Sequence, residues 1–316
     1  MKPFRTNKIR SILSFLGWLM AYRIRSFLPA GIAPDPIEQV DVFSEAQLKK
    51  INYCCKLDQP FEVTDPVCAA ELSYFKKSGY SFDLHRIMAP FQHLRFTYLP
   101  GDIKHVPDVP TVVRSRPIGD HNQNSILLPL NSRRLFEIYP DPDAFENKQP
   151  IIVWRGEVHK EHRAKLLEVC APLSFCDVGA SLTSIERCKP FVKNWLTPQQ
   201  QMKCKYLFII EGNDIASNIQ WAMNSNSLCF MRKPKFESWF AEGLLKANVH
   251  YAEIAEDFSD IEEKFRYYEA HPEEAKAIIR NSQAYVRSQQ NLTEQYALAR
   301  QVMRKYARYS SQTALS

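Results

Sequence analysis

Short apolar runs alternate with helical segments along the second half of the chain, from Lys148 onward. The runs are rich in β-branched and aromatic residues, as in strands that are buried on both faces of a sheet. They predict strands at 151–154, 173–176, 206–210, 227–231 and 249–254. Helices are predicted between them at 161–169, 215–224 and 236–246, with a further helix after Ser259. This alternation predicts a doubly wound parallel sheet, and so an α/β fold.

Further elements are predicted after this alternating region and in the half of the chain that precedes it. Pro272 opens a predicted helix at 273–289, and Asn291 opens another at 293–308. The first half of the chain is broken by prolines and reads as a second α/β domain. Its predicted elements are a helix starting at Ser44, a helix at 69–77, and strands at 111–113 and 125–128.

Three glycines mark one edge of the predicted sheet as a candidate ligand site. The chain has 9 glycines and no glycine-rich phosphate loop, yet Gly156, Gly179 and Gly212 fall where predicted strands end. In open α/β sheets, ligands bind at that edge. After Gly212 come Asn213, Asp214 and Ser217, which would cap a helix in any protein. A helix that begins beside a glycine turn can also bind phosphate, because its first N–H groups are unpaired.

The charge distribution limits the possible partners. The net charge is +6, and six basic residues with no acidic one precede Asp35, so the remaining chain is close to neutral. Since the excess is confined to one terminus, nucleic acid is not an expected partner. The apolar run at 12–20 is too short to span a bilayer. It predicts either an interfacial helix on an anionic membrane or an amphipathic helix docked on its own domain.

Cysteine usage indicates a reducing compartment. The 8 cysteines form no CxxC pair and no cluster with histidine at zinc spacing. Reduced cysteines that serve as small core residues are therefore expected.

Several short motifs, in this order and spacing, resemble glycosyltransferase family 90. The family includes protein O-glucosyltransferases, capsule xylosyltransferases and bacterial lipopolysaccharide-type members, and the last are the most similar to this chain. The motifs are Val106 to Val109 followed by Arg116, Trp154-Arg155-Gly156, Lys205 to Phe208, Glu211-Gly212, Ala216-Ser217, Ser227-Leu228, His250-Tyr251 and the DFSDI sequence at 257–261.

The resemblance implies a fold and an activity. The implied fold is GT-B-like, with two Rossmann-like domains and a cleft between them. We place an N-terminal acceptor-side domain at 1–147, a donor domain at 148–290 and a bracing helix at 291–316. The implied reaction is inverting transfer of a hexose or pentose from a UDP-sugar to a hydroxyl of a lipopolysaccharide core or other glycan, without a metal. The expected location is cytoplasmic, with possible peripheral contact at the inner membrane.

The resemblance also implies a donor site. Eukaryotic members of the family have an arginine where this chain has Asn218, so a cation from another segment must meet the phosphate charge. The residues implied to contact the diphosphate or supply that charge are Arg116, Arg155, Gly156, Gly212, Asn213, Asp214, Ser217, Asn218 and Lys233. Glu237 is the candidate for the ribose hydroxyls.

A catalytic base is less easily assigned. Eukaryotic members of the family have an aspartate base where this chain has Pro117, and proline cannot accept a proton. The nearest substitutes are Asp120 and His121 in the following loop. The missing aspartate also leaves open a second hypothesis, a catalytically inactive protein that binds a nucleotide sugar or serves as a scaffold.

Other features have structural alternatives. Arg155 could be an ion-pair partner, and Glu211 could pair with Lys205 or Lys233. His159 and His162 lack a third ligand and are expected to be solvated. The sequence Asp141-Pro142-Asp143 could bind a divalent cation, but its prolines favour an interdomain linker.

Overall fold

The computed structural model describes residues 43–69, 72 and 79–312. The chain divides into two compact units, Met1–Lys49 and Lys50–Ser316. The basic N-terminal segment and most of the predicted helix at 69–77 lie outside the described residues. The described part of the first unit begins helix α1, Glu45–Cys54. Ser44 and Gln47 each accept a hydrogen bond from the other's backbone N–H, at 3.3 and 2.8 Å, which confirms the predicted helix start.

The described elements follow in chain order. The strands are β1 Val67–Cys68, β2 Arg95–Tyr98, β3 Thr111–Val113, β4 Ser115–Pro117, β5 Ser125–Leu127, β6 Gln149–Val158, β7 Cys176–Thr183, β8 Cys204–Ile209, β9 Leu228–Met231, β10 Phe236–Ser238 and β11 Ala252–Glu253. The helices after α1 are α2 Gly79–Met88, α3 Ser132–Leu135, α4 Glu161–Cys170, α5 Pro198–Gln201, α6 Ile219–Asn224, α7 Ile261–Ala270, α8 Pro272–Arg287 and α9 Leu292–Tyr309. Short 3₁₀ turns lie at Phe145–Asn147, Glu186–Phe191 and Glu242–Leu244.

The larger sheet has the order β11-β9-β8-β6-β7, and all its strands run parallel. Alternate residues of each central strand enter two different core clusters. Tyr206 and Phe208 pack with Leu167 of α4 and Ile278 of α8, while the intervening Leu207 packs with the α6 side of the sheet. Both faces of the sheet are therefore covered by helices, as the continuous apolar runs predict.

Some predicted boundaries are displaced. The predicted strand at 173–176 only reaches the start of β7, which continues through Gly179 to Thr183. Strand β6 likewise continues past Gly156, so two of the three glycines lie inside strands rather than at their ends. The helix predicted from residue 215 begins only at Ile219 and is 6 residues long.

A smaller sheet occupies the earlier part of the chain, in the order β1-β2-β3-β5. Strands β1 and β2 are antiparallel, whereas β2, β3 and β5 are parallel. A separate two-stranded ladder joins β4 to β10, with Arg116 opposite Glu237. Residues 236–246, predicted as a helix, instead form β10 and a 3₁₀ turn. The prediction was wrong because the partner strand lies more than 100 residues away.

The last two helices agree with the predictions at 273–289 and 293–308. Asn291 caps α9 by accepting a hydrogen bond from the Glu294 N–H at 3.2 Å. Side chains of α9 reach earlier elements: the Tyr296 hydroxyl donates to Asp83 at 2.6 Å, and the Tyr306 hydroxyl donates to the Pro110 carbonyl at 3.2 Å.

The fold is thus mixed α/β with parallel sheets. The GT-B arrangement and the boundaries at 147/148 and 290/291 stay predictions. All eight cysteines are free and seven of them are buried, which agrees with their expected use as small core residues. Across the described ranges, no helix combines the length and apolar character needed to cross a membrane.

Candidate functional site

A cavity of about 220 Å³ opens at the carboxyl ends of β6 and β8. One wall, here called the sheet wall, consists of the β6–α4 turn and the loop after β8. A second set of lining residues, here called the α3 wall, includes Asp102, Arg114 and the residues around α3. The residues of the sheet wall are Glu157, His159, Lys160, Arg163 and the 212–217 loop, and those around α3 are Leu130, Asn131, Arg134 and Leu135.

Arg163, in the first turn of α4, is the central cation of the sheet wall. Its guanidinium donates to the carbonyl oxygens of Glu211 at 2.8 Å, Ile210 at 2.9 Å and Glu157 at 2.7 Å. It forms no salt bridge within the described residues. Burial lowers the pKa of Arg163 to about 10, so the group is still a cation at neutral pH. Its position is fixed by carbonyl groups, and the Glu157 carboxylate of the same lining partly offsets the effect of burial on its pKa.

Two glycines shape the surroundings of Arg163. The guanidinium lies over the Trp154 ring, 5.4 Å from the ring centre. A Cβ on Gly156 would lie 2.5 Å from that ring, and a Cβ on Gly212 would lie 3.3 Å from Nη2 of Arg163. A side chain at Gly156 would therefore displace the ring that supports the arginine, and one at Gly212 would crowd the guanidinium.

We expect Gly156→Ala to destabilise the fold by about 1–3 kcal/mol, the usual range for overpacking. The added methyl group has no space beside the buried Trp154 ring. Urea unfolding monitored by tryptophan fluorescence measures the change. Gly119→Ala is the matched control, because a Cβ there meets no atom within 4 Å. Equal stability of the two variants would contradict the packing described for Gly156.

The α3 wall contributes a carboxylate network around Arg114. Asp102 lies 2.9 Å from the Arg114 guanidinium and accepts from the Asn213 amide at 3.1 Å. Asp214 is buried and accepts from Arg114 and from the Ser115 hydroxyl. Burial opposes the charge on Arg114, but the two carboxylates raise its pKa overall. Asp214 is buried, whereas the Asp102 side chain is 34% exposed and lines the cavity.

The cavity therefore combines a cation held by carbonyl groups on one wall with an accessible carboxylate on the other. This arrangement can hold an anionic leaving group and remove a proton from a neighbouring hydroxyl.

Comparison with known proteins identifies the family. The family model described as "Glycosyl transferase family 90" matches residues 140–314. The chain belongs to glycosyl transferase family 90. It is also 36% identical to O-glucosyltransferase LpsA of Dichelobacter nodosus over 289 residues. This match covers 88% of this chain and 90% of that protein. A 90-residue stretch is 31% identical to the uncharacterized protein 179R of Invertebrate iridescent virus 6, covering 26% of this chain and 8% of that protein.

The family resemblance seen in the sequence is thus confirmed, and the chain is a glycosyltransferase with a sugar donor and a glycan acceptor. Of the site residues that the resemblance implied, Gly212, Asn213, Asp214 and Ser217 line the cavity. They lie in a loop rather than in a first helical turn, because α6 begins after them.

Asn218 has a structural contact. It occupies the N-cap position of α6, but its side chain donates to the Phe208 carbonyl at 2.9 Å instead of capping the helix. Arg163 and Lys160 of the neighbouring turn are cations that line the same cavity.

Arg155 lies apart from the lining of the cavity. Its guanidinium makes two hydrogen bonds of 2.8 Å to the Asp177 carboxylate, and Lys193 approaches the same carboxylate at 2.9 Å. Only 5% of the Arg155 side chain is exposed. Arg155 is therefore an ion-pair partner, as in the structural alternative given above. Contact between Arg155 and the donor stays a prediction.

Arg116 and Glu237 form a buried pair at 2.7 Å, with side chains 0% and 1% exposed. Arg116 also donates to the carbonyls of Ser125 and Tyr53, and the Tyr53 hydroxyl bonds to Glu237. The guanidinium has no unused nitrogen. A direct donor contact by either residue would require this ladder to open, so we leave both out of the proposed site.

The remaining candidates lie outside the cavity lining. Lys233, Asp120 and His121 are exposed. Glu211 accepts from the backbone N–H groups of Lys235 and Phe236, at 2.8 and 3.1 Å, rather than pairing with Lys205 or Lys233. The roles predicted for Asp120, His121 and Lys233 in catalysis or donor binding stay untested.

The candidate metal ligands have other partners. Asp141 pairs with Lys148 at 2.8 Å, and Asp143 pairs with Lys203 at 2.6 Å. His162 bonds the Glu211 carbonyl at 2.8 Å, while His159 is exposed at the cavity rim. In the ranges that the structure covers, no three histidine, cysteine or acidic side chains are grouped to hold a metal ion. Metal independence stays a prediction.

Several residues of the cavity were not predicted from the sequence, Arg163 and Asp102 among them. Arg163 stands in an ordinary amphipathic helix, and only its position in the first turn after a strand end distinguishes it. Asp102 follows Gly101, whose φ of 96° marks a sharp turn in a proline-rich region. A glycine turn immediately before an acidic residue was the available signal for Asp102.

Proposed function

We propose that the chain transfers a hexose or pentose from a UDP-sugar to a hydroxyl of a lipopolysaccharide-core or other glycan acceptor, with inversion at the anomeric carbon. The observation that carries the proposal is the single cavity that Arg163 and Asp102 both line. The similarity to a protein named O-glucosyltransferase makes glucose the first sugar to test.

The donor diphosphate lies on the sheet wall in this proposal. Arg163 and Lys160 are cations without a salt bridge among the described residues. Together they match the charge of a diphosphate, and charge-assisted bonds to phosphate are stronger than neutral ones. Gly212 allows close approach to Arg163 because it has no side chain.

Asp102 is the proposed general base. The acceptor oxygen forms a bond to the anomeric carbon while the bond from that carbon to the diphosphate oxygen breaks. Asp102 takes the hydroxyl proton, and UDP leaves with the electron pair, its charge met by Arg163 and Lys160. Arg114 and Asn213 hold both carboxylate oxygens and so orient the base. Asp102 takes precedence over Asp120 and His121 because it lines the cavity.

The proposed setting is the cytoplasmic face of the inner membrane. The excess of basic residues near the N-terminus would attract anionic lipid there and bring the enzyme to a lipid-linked acceptor.

We expect Arg163→Gln to weaken UDP binding by about tenfold to a hundredfold, corresponding to the roughly 1.5–3 kcal/mol of a hydrogen bond to a charged group. Isothermal titration calorimetry with UDP measures the effect. Lys165→Gln is the matched control, because Lys165 is an exposed cation on the same helix that does not line the cavity. Unchanged affinity in Arg163→Gln would move the diphosphate elsewhere.

A donor panel tests the function itself. Thermal stabilisation and slow UDP release are measured with UDP-glucose, UDP-galactose, UDP-xylose and the N-acetyl analogues. We expect one donor to give both effects. Stabilisation by UDP without release from any donor or acceptor would favour the inactive binding protein.

A further inference from the structure

The α3 wall contains a polar corner that the donor and base do not use. Asn131 and Arg134 both line the cavity there. Arg134 is exposed and forms no salt bridge with any residue in the described ranges. Asn131 has a side chain with no capping hydrogen bond, although it occupies the N-cap position of α3. One cation and one amide are therefore available to a ligand.

The backbone at this corner is held in an unusual conformation. Asn131 has φ 70° and ψ 48°, in the left-handed region that few non-glycine residues adopt. Its carbonyl accepts from Arg134 N at 2.9 Å and from Leu135 N at 3.2 Å. Such conformations cost about 1–3 kcal/mol and persist where the surroundings fix them, often at ligand sites.

Asp83 holds the backbone around Asn131 in this conformation. The carboxylate is 2% exposed and accepts from the Ser132 backbone N–H and hydroxyl, both at 2.6 Å. It also accepts from the Tyr296 hydroxyl of α9 at 2.6 Å. A buried acidic group thus ties the turn before α3 to another helix, and the corner is preorganised.

Arg134 is a cation of the cavity lining that neither the Arg114 network nor the proposed diphosphate site uses. Arg114 is neutralised by Asp102 and Asp214. Arg163 and Lys160 account for the donor diphosphate on the sheet wall. Arg134 belongs to the α3 wall together with Asp102, which the acceptor must approach in the proposed reaction. An arginine beside an amide suits a sugar that has both hydroxyls and an anionic group.

We propose that Asn131 and Arg134 form an acceptor subsite that recognises an anionic substituent, a phosphate or a carboxylate, on the acceptor sugar. This inference rests on the proposed function, because it takes the sheet wall as the donor side. It names the acceptor class: an acidic rather than a neutral glycan.

The test uses the full chain saturated with UDP, so that the diphosphate site is occupied. Three probes with the same ring are titrated by calorimetry: glucose 6-phosphate, glucuronate and glucose. We expect at least one anionic probe to bind at least about tenfold more tightly than glucose, as a charge-assisted bond implies. The phosphate and carboxylate arms identify which substituent is preferred.

Two variants decide the assignment. Arg134→Gln should abolish the preference for the anionic probe and leave UDP affinity unchanged. Arg133→Gln is the matched control, since Arg133 is the exposed neighbour on the same helix and does not line the cavity. It should retain the preference.

The contradicting outcomes are distinct. Equal binding of all three probes to the wild-type protein, or an unchanged preference in Arg134→Gln, would overturn the subsite. A loss of UDP affinity in Arg134→Gln as large as that in Arg163→Gln would assign Arg134 to the donor instead. Failure of the wild-type protein to bind UDP would overturn the proposed function itself, and with it this inference.

Discussion

Replacing Asp102 by asparagine is expected to lower the turnover of sugar transfer by about 10²–10⁴-fold, the usual contribution of a general base. Asparagine keeps the shape of the side chain and can still contact Arg114, but it cannot accept a proton. Asp214 continues to neutralise Arg114. UDP affinity should therefore change little, and the loss should fall on kcat. Initial rates of UDP release at saturating donor measure it.

Asp120→Asn is the matched comparison. Asp120 lies in an exposed loop outside the cavity lining, so we expect this variant to keep the wild-type rate. The reverse result, with Asp102→Asn active and Asp120→Asn inactive, would show that the base is Asp120, the residue predicted from the sequence.

The second large effect concerns stability. Glu237→Ala is expected to cost about 3–5 kcal/mol of unfolding free energy, because it leaves the buried Arg116 guanidinium without its carboxylate. Arg116 would keep only its carbonyl partners on Ser125 and Tyr53. Equilibrium unfolding in urea, monitored by circular dichroism, gives the difference.

Glu256→Gln is the control for Glu237. Glu256 pairs with Arg232 and Lys235, but its side chain is 52% exposed, so its removal should change stability by less than about 1 kcal/mol. If Glu237→Ala left stability intact and raised only the donor KM, Glu237 would have the ribose-binding role implied by the family resemblance rather than a structural one.

The larger sheet was predictable because its strands are buried on both faces. Continuous apolar runs identify such strands without any knowledge of their neighbours, and the bounds predicted for β8 and β9 agree with the structure to within two residues. The β4–β10 ladder could not be found in this way. Residues 236–246 have a helical composition, and what makes Phe236–Ser238 a strand is pairing with Ser115–Pro117.

The candidate site was predictable only on one wall. The loop from Gly212 to Ser217 was found because glycine and capping residues after a strand form a local pattern. The position of Arg163 in the cavity could not be predicted, because it is set by hydrogen bonds to three carbonyl groups near the ends of two strands. Asp102 reaches the cavity through Arg114 and Asn213, contacts that no local pattern encodes.

The most direct test of inverting transfer is the anomeric form of the first product. Hydrolysis of UDP-α-glucose by the wild-type protein is followed by proton NMR, with water as the acceptor, before mutarotation equilibrates the sugar. If another donor in the panel is preferred, the corresponding α-linked UDP-sugar replaces it. We expect β-glucose to appear first together with UDP. Appearance of α-glucose first, or no UDP release from any donor of the panel, would contradict the proposed reaction.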